Sequence, residues 1–367
     1  MSKDGLHIIC DIRSSRVTCA LVECSDIPRI LFKSTKNNEN HSYSVAQLMT
    51  YVVEDLYKQG KRYITNQNLP SAITSIDIIF SSPWSTSEMR TIKIHKEKPV
   101  LINERYIENR IENDLYDMKD QKIIEKKLLS IILDDKISDG SFPKNATNIE
   151  LAIQLGFVDE KILTSVLDTI KERFNTDNVS IHTFPFIAEE YVKKSNSDIQ
   201  DYIFIEFSEK KGTGIHVKDG EMCQTKRIDC GTDLFVQAVS EEFHVDSGVA
   251  QSCLNMYFDQ NVDSKIEKKV TYCLDKVRDE LIREIREVYD SFKDVFPLPK
   301  HIFLLVDPLY VPTMRKIIED ACEKYNDNLF HVIPIDTMSM RCQFNQDVHP
   351  DIYIGLETSS LCSLENN

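Results

Sequence analysis

At 367 residues the chain is long for one hydrophobic core, so length alone predicts two domains. Its 41% hydrophobic and 28% charged residues are those of an ordinary globular protein, and a net charge of −15 excludes a general binder of nucleic-acid backbone. Glycine is more informative: ten in 367 is well under half the usual share of about 7%, which leaves few places for backbone to close on a phosphate.

The ten cysteines stand singly, at positions 10, 19, 24, 223, 230, 253, 273, 322, 342 and 362. None forms a CxxC pair and most lie in apolar runs, so buried reduced thiols in a reducing cytoplasm are expected. The segment MSKDGLHIICDI lacks the basic region and long apolar stretch of a signal peptide. No run approaches the ~18 apolar residues that a membrane span needs.

In chain order, Leu6–Asp11, Val17–Val22 and Arg29–Lys33 read as a three-stranded meander whose first turn is rich in hydroxyls. Ser44–Gln59 has helical spacing, with Val45, Leu48, Val52, Val53 and Leu56 on one face, and Ser75–Ser81 is a strand closed by Ser82-Pro83-Trp84. A change of character follows. Ile92–Ile94 reads as short and extended, Asn103–Tyr116 as a helix, and Gln121–Leu133 as imperfectly alternating strand. Asp139-Gly140 and Pro143 mark a turn, Asn148–Phe157 is a strand, and Asp159–Phe174 is an amphipathic helix. Val179–Thr183 and Phe186–Lys194 return the chain to its core as strand and helix.

Tyr202–Phe235 repeats the opening plan. Tyr202–Phe207, Thr213–Val217 and a third strand are joined by turns, the second being the hairpin Lys218-Asp219-Gly220, and Asp229–Asp233 opens a helix. Helices are expected over Asp229–His244, Ser247–Tyr257 and Asp263–Phe292, the last ended by Pro297–Pro299. His301–Val306, Pro312–Tyr325, His331–Pro334 and Asp351–Ser360 complete a strand–helix–strand close, which indicates a parallel edge to the second sheet.

Two βββαβα halves, with an α+β insert in the first and helices in the second, resemble the plan of the bacterial FtsA and PilM proteins. These are the actin-like members of the cell-division and type IV pilus machineries. The resemblance covers nearly the whole chain. It rests on IICDIRSSRVTCALVE, the insert, the Tyr202–Phe235 unit and HIFLLVDPLYVPTMRKII, with DIYIGLETSSL similar to the family's closing segment. It implies an α/β fold of two actin-like, ribonuclease H-like halves flanking a cleft. The first core would take 1–83 and 179–198, the insert 84–178, the second core 199–235 and 298–367, and a helical subdomain 236–297.

The family's nucleotide motifs are altered. Its first phosphate loop reads Asp-Ile-Gly-Ser-Ser; here it is Asp11-Ile12-Arg13-Ser14-Ser15. Its second reads Asp-Ile-Gly-Gly-Gly-Thr-Thr-Asp; here Glu206-Phe207-Ser208-Glu209-Lys210-Lys211-Gly212-Thr213-Gly214 stands instead. Asp307-Pro308 replaces the adenosine-loop glycine pair, and proline removes a backbone donor, while Gly231 is kept at the next helix start. The resemblance thus implies a degenerate nucleotide cleft of Asp11, Arg13, Ser14, Ser15, Glu206, Gly212, Thr213, Gly231 and Asp307. Its cofactor is either none or weakly held ATP with Mg²⁺, and ATP hydrolysis is weak or absent.

Several roles stay open at this level. Asp11 and Glu206 could hold Mg²⁺ through water, or serve as remnants that accept turn N–H groups. Arg13 could take an anion or bridge to Glu206 or Asp307. The single tryptophan, Trp84, could contact a partner or pack a domain junction. The charged faces of 263–293 and 120–127 read as solvated. No residue stands out as catalytic, and the scattered histidines make no metal-ligand pair.

The expected function is a cytoplasmic actin-like scaffold, a pseudo-ATPase that recruits or organises a membrane machine of the pilus kind or the division kind. Its partner would be a cytoplasmic peptide or domain of a membrane protein, bound near the insert, with self-association as a further possibility. Nucleic acid is not expected as a partner. Leu361–Asn367 is too short and acidic for an interfacial helix, so attachment at the inner membrane would run through the partner rather than direct insertion. The alternative is an active ATPase or filament-forming protein with diverged phosphate loops.

Overall fold

The computed structural model describes residues 5–38, 43–67, 72–114, 120–138, 140–174, 176–293, 298–325 and 330–364. Strands β1 (Gly5–Ile12), β2 (Arg16–Cys24) and β3 (Arg29–Asn37) form the antiparallel meander. Helix α1 (Val45–Asp55) starts at Ser44, whose hydroxyl and backbone N–H exchange hydrogen bonds with Gln47 in a capping box. It runs on through a π-helical turn (Leu56–Gly60) into α2 (Lys61–Asn66). β4 (Ile73–Phe80) then pairs parallel to β1.

The insert is a four-stranded sheet built from β5 (Ser85–Ile102), β6 (Gln121–Leu133), β7 (Lys136–Ile137) and β8 (Lys144–Asp159), with α3 (Glu104–Asp114) between β5 and β6 in sequence. Its order is β5-β8-β6-β7. Alternate β8 residues from Ile149 to Phe157 are buried together with Ile107 and Ile111 of α3. Where the sequence suggested a short extended piece at Ile92–Ile94, β5 is 18 residues long. An edge strand exposes one side of its backbone, and its Lys, Glu and Pro residues protect that edge while hiding the alternation.

Helix α4 (Glu160–Lys171), strand β9 (Val179–Thr183) and helix α5 (Phe184–Ser195) follow. α4 buries Leu163, Val166 and Ile170 among the residues of β1 and α1, not within the insert sheet. We therefore propose the segment boundaries read from sequence with one change, α4 being grouped with the first core.

The second half opens with β10 (Tyr202–Phe207), β11 (Gly212–Lys218) and β12 (Glu221–Ile228). The β11–β12 hairpin turns on Asp219 and Gly220, both at positive φ (53° and 74°), as the Asp-Gly signal predicts. Helices α6 (Asp233–Phe243), α7 (Ser247–Phe258) and α8 (Ser264–Lys293) come next; α6 begins four residues later than the expected Asp229. β13 (His301–Val306), α9 (Val311–Cys322), β14 (His331–Pro334), β15 (Gln343–Phe344) and α10 (Ile352–Leu364) complete the chain. The turn at Asp139, the end of the helix expected to Tyr116, the stop at Pro297 and the tail beyond Leu364 lie outside the described residues.

The first sheet has the order β15-β3-β2-β1-β4-β9 and the second β12-β11-β10-β13-β14. β13 runs parallel to β10 and to β14, as the strand–helix–strand close predicts. β15, unread in the sequence, returns the chain from the second half to pair with β3 of the first.

All six residues of β10 are buried, because both faces of its sheet are covered. Ile203, Ile205 and Phe207 face the stripe of α8 (Val270, Cys273, Val277, Leu281, Ile285, Val288 and Phe292). Tyr202 and Phe204 face a core shared by both halves, where they meet Ile9, Ala20 and Val22 of the first sheet and side chains of α5 and α10. The two halves are thus joined through an apolar centre crossed by two helices.

Two expectations fail here. Four cysteines pair, Cys10 with Cys19 across β1–β2 and Cys24 with Cys362, where reduced thiols were expected. The face at 120–127 is not wholly solvated either. Glu125 accepts from the N–H and hydroxyl of Thr183 (2.9 and 2.6 Å), and Lys127 pairs with Glu189 and Glu221. Among the described residues, no helix is long and apolar enough to cross a membrane.

Candidate functional site

β1 and β2 end at a turn in which Arg13 N–H donates to Arg16 O (3.0 Å). Trp84, at the start of the insert, donates its indole N–H to Arg13 O (3.0 Å) and so holds this turn from behind. The side chain of Arg13 points inward and is 0% exposed. Its Nε donates to Asp11 Oδ2 (2.5 Å) and its Nη1 to Glu206 Oε1 at the end of β10 (3.0 Å). The guanidinium carbon lies 3.3 Å from the ring centre of Tyr353 and 5.7 Å from that of Phe184. Tyr353, in the first turn of α10, is fixed by donating its hydroxyl to Phe207 O (2.7 Å).

The group therefore spans both halves and both crossing helices. Its planar fork and flat face fit two carboxylates and an aromatic ring at once, which lysine could not do.

Burial dominates the electrostatics. It opposes the charge on Arg13, but Asp11 and the neighbouring Tyr353 and Glu206 more than offset it and hold the guanidinium pKa well above its ordinary value. Burial raises the pKa of Asp11 despite Arg13, and pushes Glu206 up to about 7. Glu357 of α10 is 0% exposed and neither carboxyl oxygen has a hydrogen-bond partner among the described residues. Burial drives its pKa well above the ordinary carboxyl value, against the pull of Arg13 and Arg16.

A second layer closes the rim. Ser15 Oγ donates to Glu209 (2.7 Å), Arg16 lies 3.7 Å from Glu209 and 3.6 Å from Asp351, and Lys33 lies 3.3 Å from Asp351. Burial works against the charges of Glu209 and Asp351, yet Arg16 keeps both pKa values below the ordinary range.

The remaining predicted positions divide. Thr213 is buried opposite Glu206 in the β10–β11 register. Gly212 and Gly231 are required by close backbone packing rather than by a ligand. A Cβ at Gly212 would stand 2.6 Å from Glu206 O, and one at Gly231 2.3 Å from Glu209 O. Ser14 Oγ is buried without a partner among the described residues. Asp307 is exposed and caps Leu309 N–H (2.9 Å), so the bridge from Arg13 runs to Glu206 and not to Asp307. Asp11 and Glu206 hold the guanidinium, in place of the turn N–H groups that the remnant reading gave them.

The arrangement does not fit ATP with Mg²⁺. The guanidinium lies between the two carboxylates that would face the metal, and loop donors are already engaged. Ser208 N–H donates to Lys211 O (2.9 Å), Thr232 N–H to Ser208 O (3.1 Å) and Asp233 N–H to Glu209 O (2.8 Å). Among the described residues no three His, Cys, Asp or Glu side chains gather where they could hold a metal ion.

No protein-family profile matches the sequence, and no curated protein matches it. Solved structures do. The chain superposes on a structure described as the PilM-PilN type IV pilus biogenesis complex with a TM-score of 0.63 at 11% identity, covering 98% of this chain and 97% of that one. The chain has an actin-like fold. The ethanolamine utilization protein EutJ from Carboxydothermus hydrogenoformans also matches, with a TM-score of 0.47 at 8% identity over 96% of this chain and 88% of that one. So does a Bacteroides thetaiotaomicron protein described as having an actin-like ATPase fold and unknown function, with a TM-score of 0.43 at 8% identity over 90% and 91%.

Sequence reasoning missed Arg16, Lys33, Asp351, Tyr353 and Glu357. A signal for the last two existed. Tyr353 and Glu357 interrupt the apolar run Ile352–Leu356 and its continuation toward Leu361, and a buried polar group needs a reason.

Proposed function

We propose that this chain is a PilM-like scaffold whose nucleotide cleft is filled by its own arginine, a pseudo-ATPase that acts through a protein partner. The observation that carries the reading is Arg13, fully buried between Asp11 and Glu206 and stacked on Tyr353. A Mg·polyphosphate would have to displace that side chain and leave the buried Asp11 and Glu206 facing its own negative charge. The fold is shared over nearly the full length with a protein solved as the PilM-PilN complex, which supports a partner-binding role.

The partner is a cytoplasmic peptide or domain of a membrane protein, and the insert is where it docks. Its sheet leaves Leu101, Leu128 and Ile137 exposed, and its position is fixed to both halves. Buried Glu189 of α5 receives hydrogen bonds from Gln154 of the insert (3.2 Å) and from Met222 N–H of the second half (3.2 Å). The assay is phosphate release by the full chain with Mg·ATP, together with cross-linking of the tagged chain to the membrane fraction of its own cells. The reading expects no turnover and a cross-link between the insert and a membrane protein. Steady turnover would favour the working ATPase or filament-forming alternative; cross-links confined to soluble proteins would remove the membrane role.

A further inference from the structure

We propose that the Cys24–Cys362 disulfide is a redox clasp on α10, the helix that completes the Arg13 site. The two cysteines are 338 positions apart in sequence, and their bond ties the last described turn of α10 to the end of β2. α10 carries Tyr353 beneath the guanidinium and the fully buried Glu357, and Asp351 immediately precedes it. Its N-terminal end is held by the Asp351 pairs with Arg16 and Lys33. Its C-terminal end is held by the disulfide and by Lys194 Nζ donating to Ser360 O (2.6 Å). One covalent bond thus restrains the element that both halves share.

Cys24 and Cys362 are buried, at 6% and 4% exposure, but a cavity of about 190 Å³, lined by His7, Asp77, Ser180, His182 and Cys362 among others, lies beside the bond on the Cys362 side. Cys10 and Cys19 are each 1% exposed or less, face the α1 side of the first sheet, and lie outside that cavity.

The exchange needs a thiol reductant such as glutathione. Its thiolate attacks Cys362 Sγ, forming a mixed disulfide and releasing Cys24 as thiolate, which takes up a proton. A second thiolate attacks the outer sulfur of the mixed disulfide and releases Cys362. Two electrons pass from two thiols to the protein disulfide, leaving two cysteine thiols and one oxidised reductant. Reduction leaves α10 on its apolar packing and polar contacts without a covalent tie; oxidation restores the clasp.

The test is hydrogen exchange and timed alkylation of the full chain in glutathione buffers of graded potential, read by mass spectrometry. Amides of 352–362 should exchange at least ten-fold faster in the reduced protein. Cys24 and Cys362 should become alkylable before Cys10 and Cys19. Cys362→Ser and Cys24→Ser should each exchange like the reduced protein without reductant, and if either variant fails to fold, the reduced wild type gives the same reading. Free Cys24 and Cys362 after treatment with a disulfide-forming oxidant, or equal exchange of 352–362 in both states, would overturn the proposal.

Discussion

Replacing Arg13 with alanine would leave Asp11 and Glu206 buried with no counter-charge. The two carboxyls would not stay ionised; they would take up protons. At pH 7, holding Asp11 neutral against an ordinary pKa near 3.9 costs up to about 4 kcal/mol, at about 1.4 kcal/mol per unit. Glu206, already pushed up to about 7, adds little. Loss of the Tyr353 stack adds about 1–2 kcal/mol, and the relief of Arg13's own desolvation offsets part of the total.

The expected net loss is about 3–5 kcal/mol, the range for breaking a buried ion pair. It should shrink to about 1–2 kcal/mol near pH 4, where both carboxyls protonate without penalty and only the stacking loss remains. Urea denaturation of both proteins at pH 7 and pH 4 measures this. The triple variant with Asp11→Asn, Arg13→Met and Glu206→Gln should recover most of the loss, since neutral packing often matches a buried pair. An Arg13→Ala penalty below about 1 kcal/mol at pH 7, or one that does not depend on pH, would refute the reasoning.

Three further outcomes follow from the same structure. Glu206 keeps its proton in the folded state after the unfolded chain has lost it, so its contribution makes stability fall as pH rises from about 4.5 to about 7, by up to about 3 kcal/mol. Glu206→Gln should flatten that slope in denaturation midpoints at pH 5, 6 and 7. Glu189→Ala should remove about 1–3 kcal/mol by leaving the buried Gln154 amide and Met222 N–H without their acceptor, and limited proteolysis should then cut within 84–159 before the rest of the chain. Gly231→Ala should lower stability by about 1–3 kcal/mol in the same assay, because its Cβ would meet the backbone oxygens of Ser208 (2.4 Å) and Glu209 (2.3 Å).

The order of elements was legible because strand and helix periods are local. His301–Val306 and Val179–Thr183 agree with the structure at both ends, and the Asp219-Gly220 turn carries its own signature. The Arg13–Glu206 bridge was legible as one of the options for Arg13, since the motif comparison brings those positions together across 193 residues of sequence. What was hidden depends on long-range partners. β15 is only two residues long and exists because β3 offers an edge. α10 lies between the halves and is buried all round, so it has no polar face by which to locate its contacts. Lys127 looks solvated until the buried Glu189 is placed beside it. The Cys24–Cys362 pair has no local spacing to betray it.

Binding of Mg·ATP to the full-length wild-type chain, measured by isothermal titration calorimetry, tests the central claim most directly. With Arg13 seated between Asp11 and Glu206, no binding heat should appear up to millimolar nucleotide. A saturable isotherm at micromolar concentration would contradict the claim that this arginine fills the cleft.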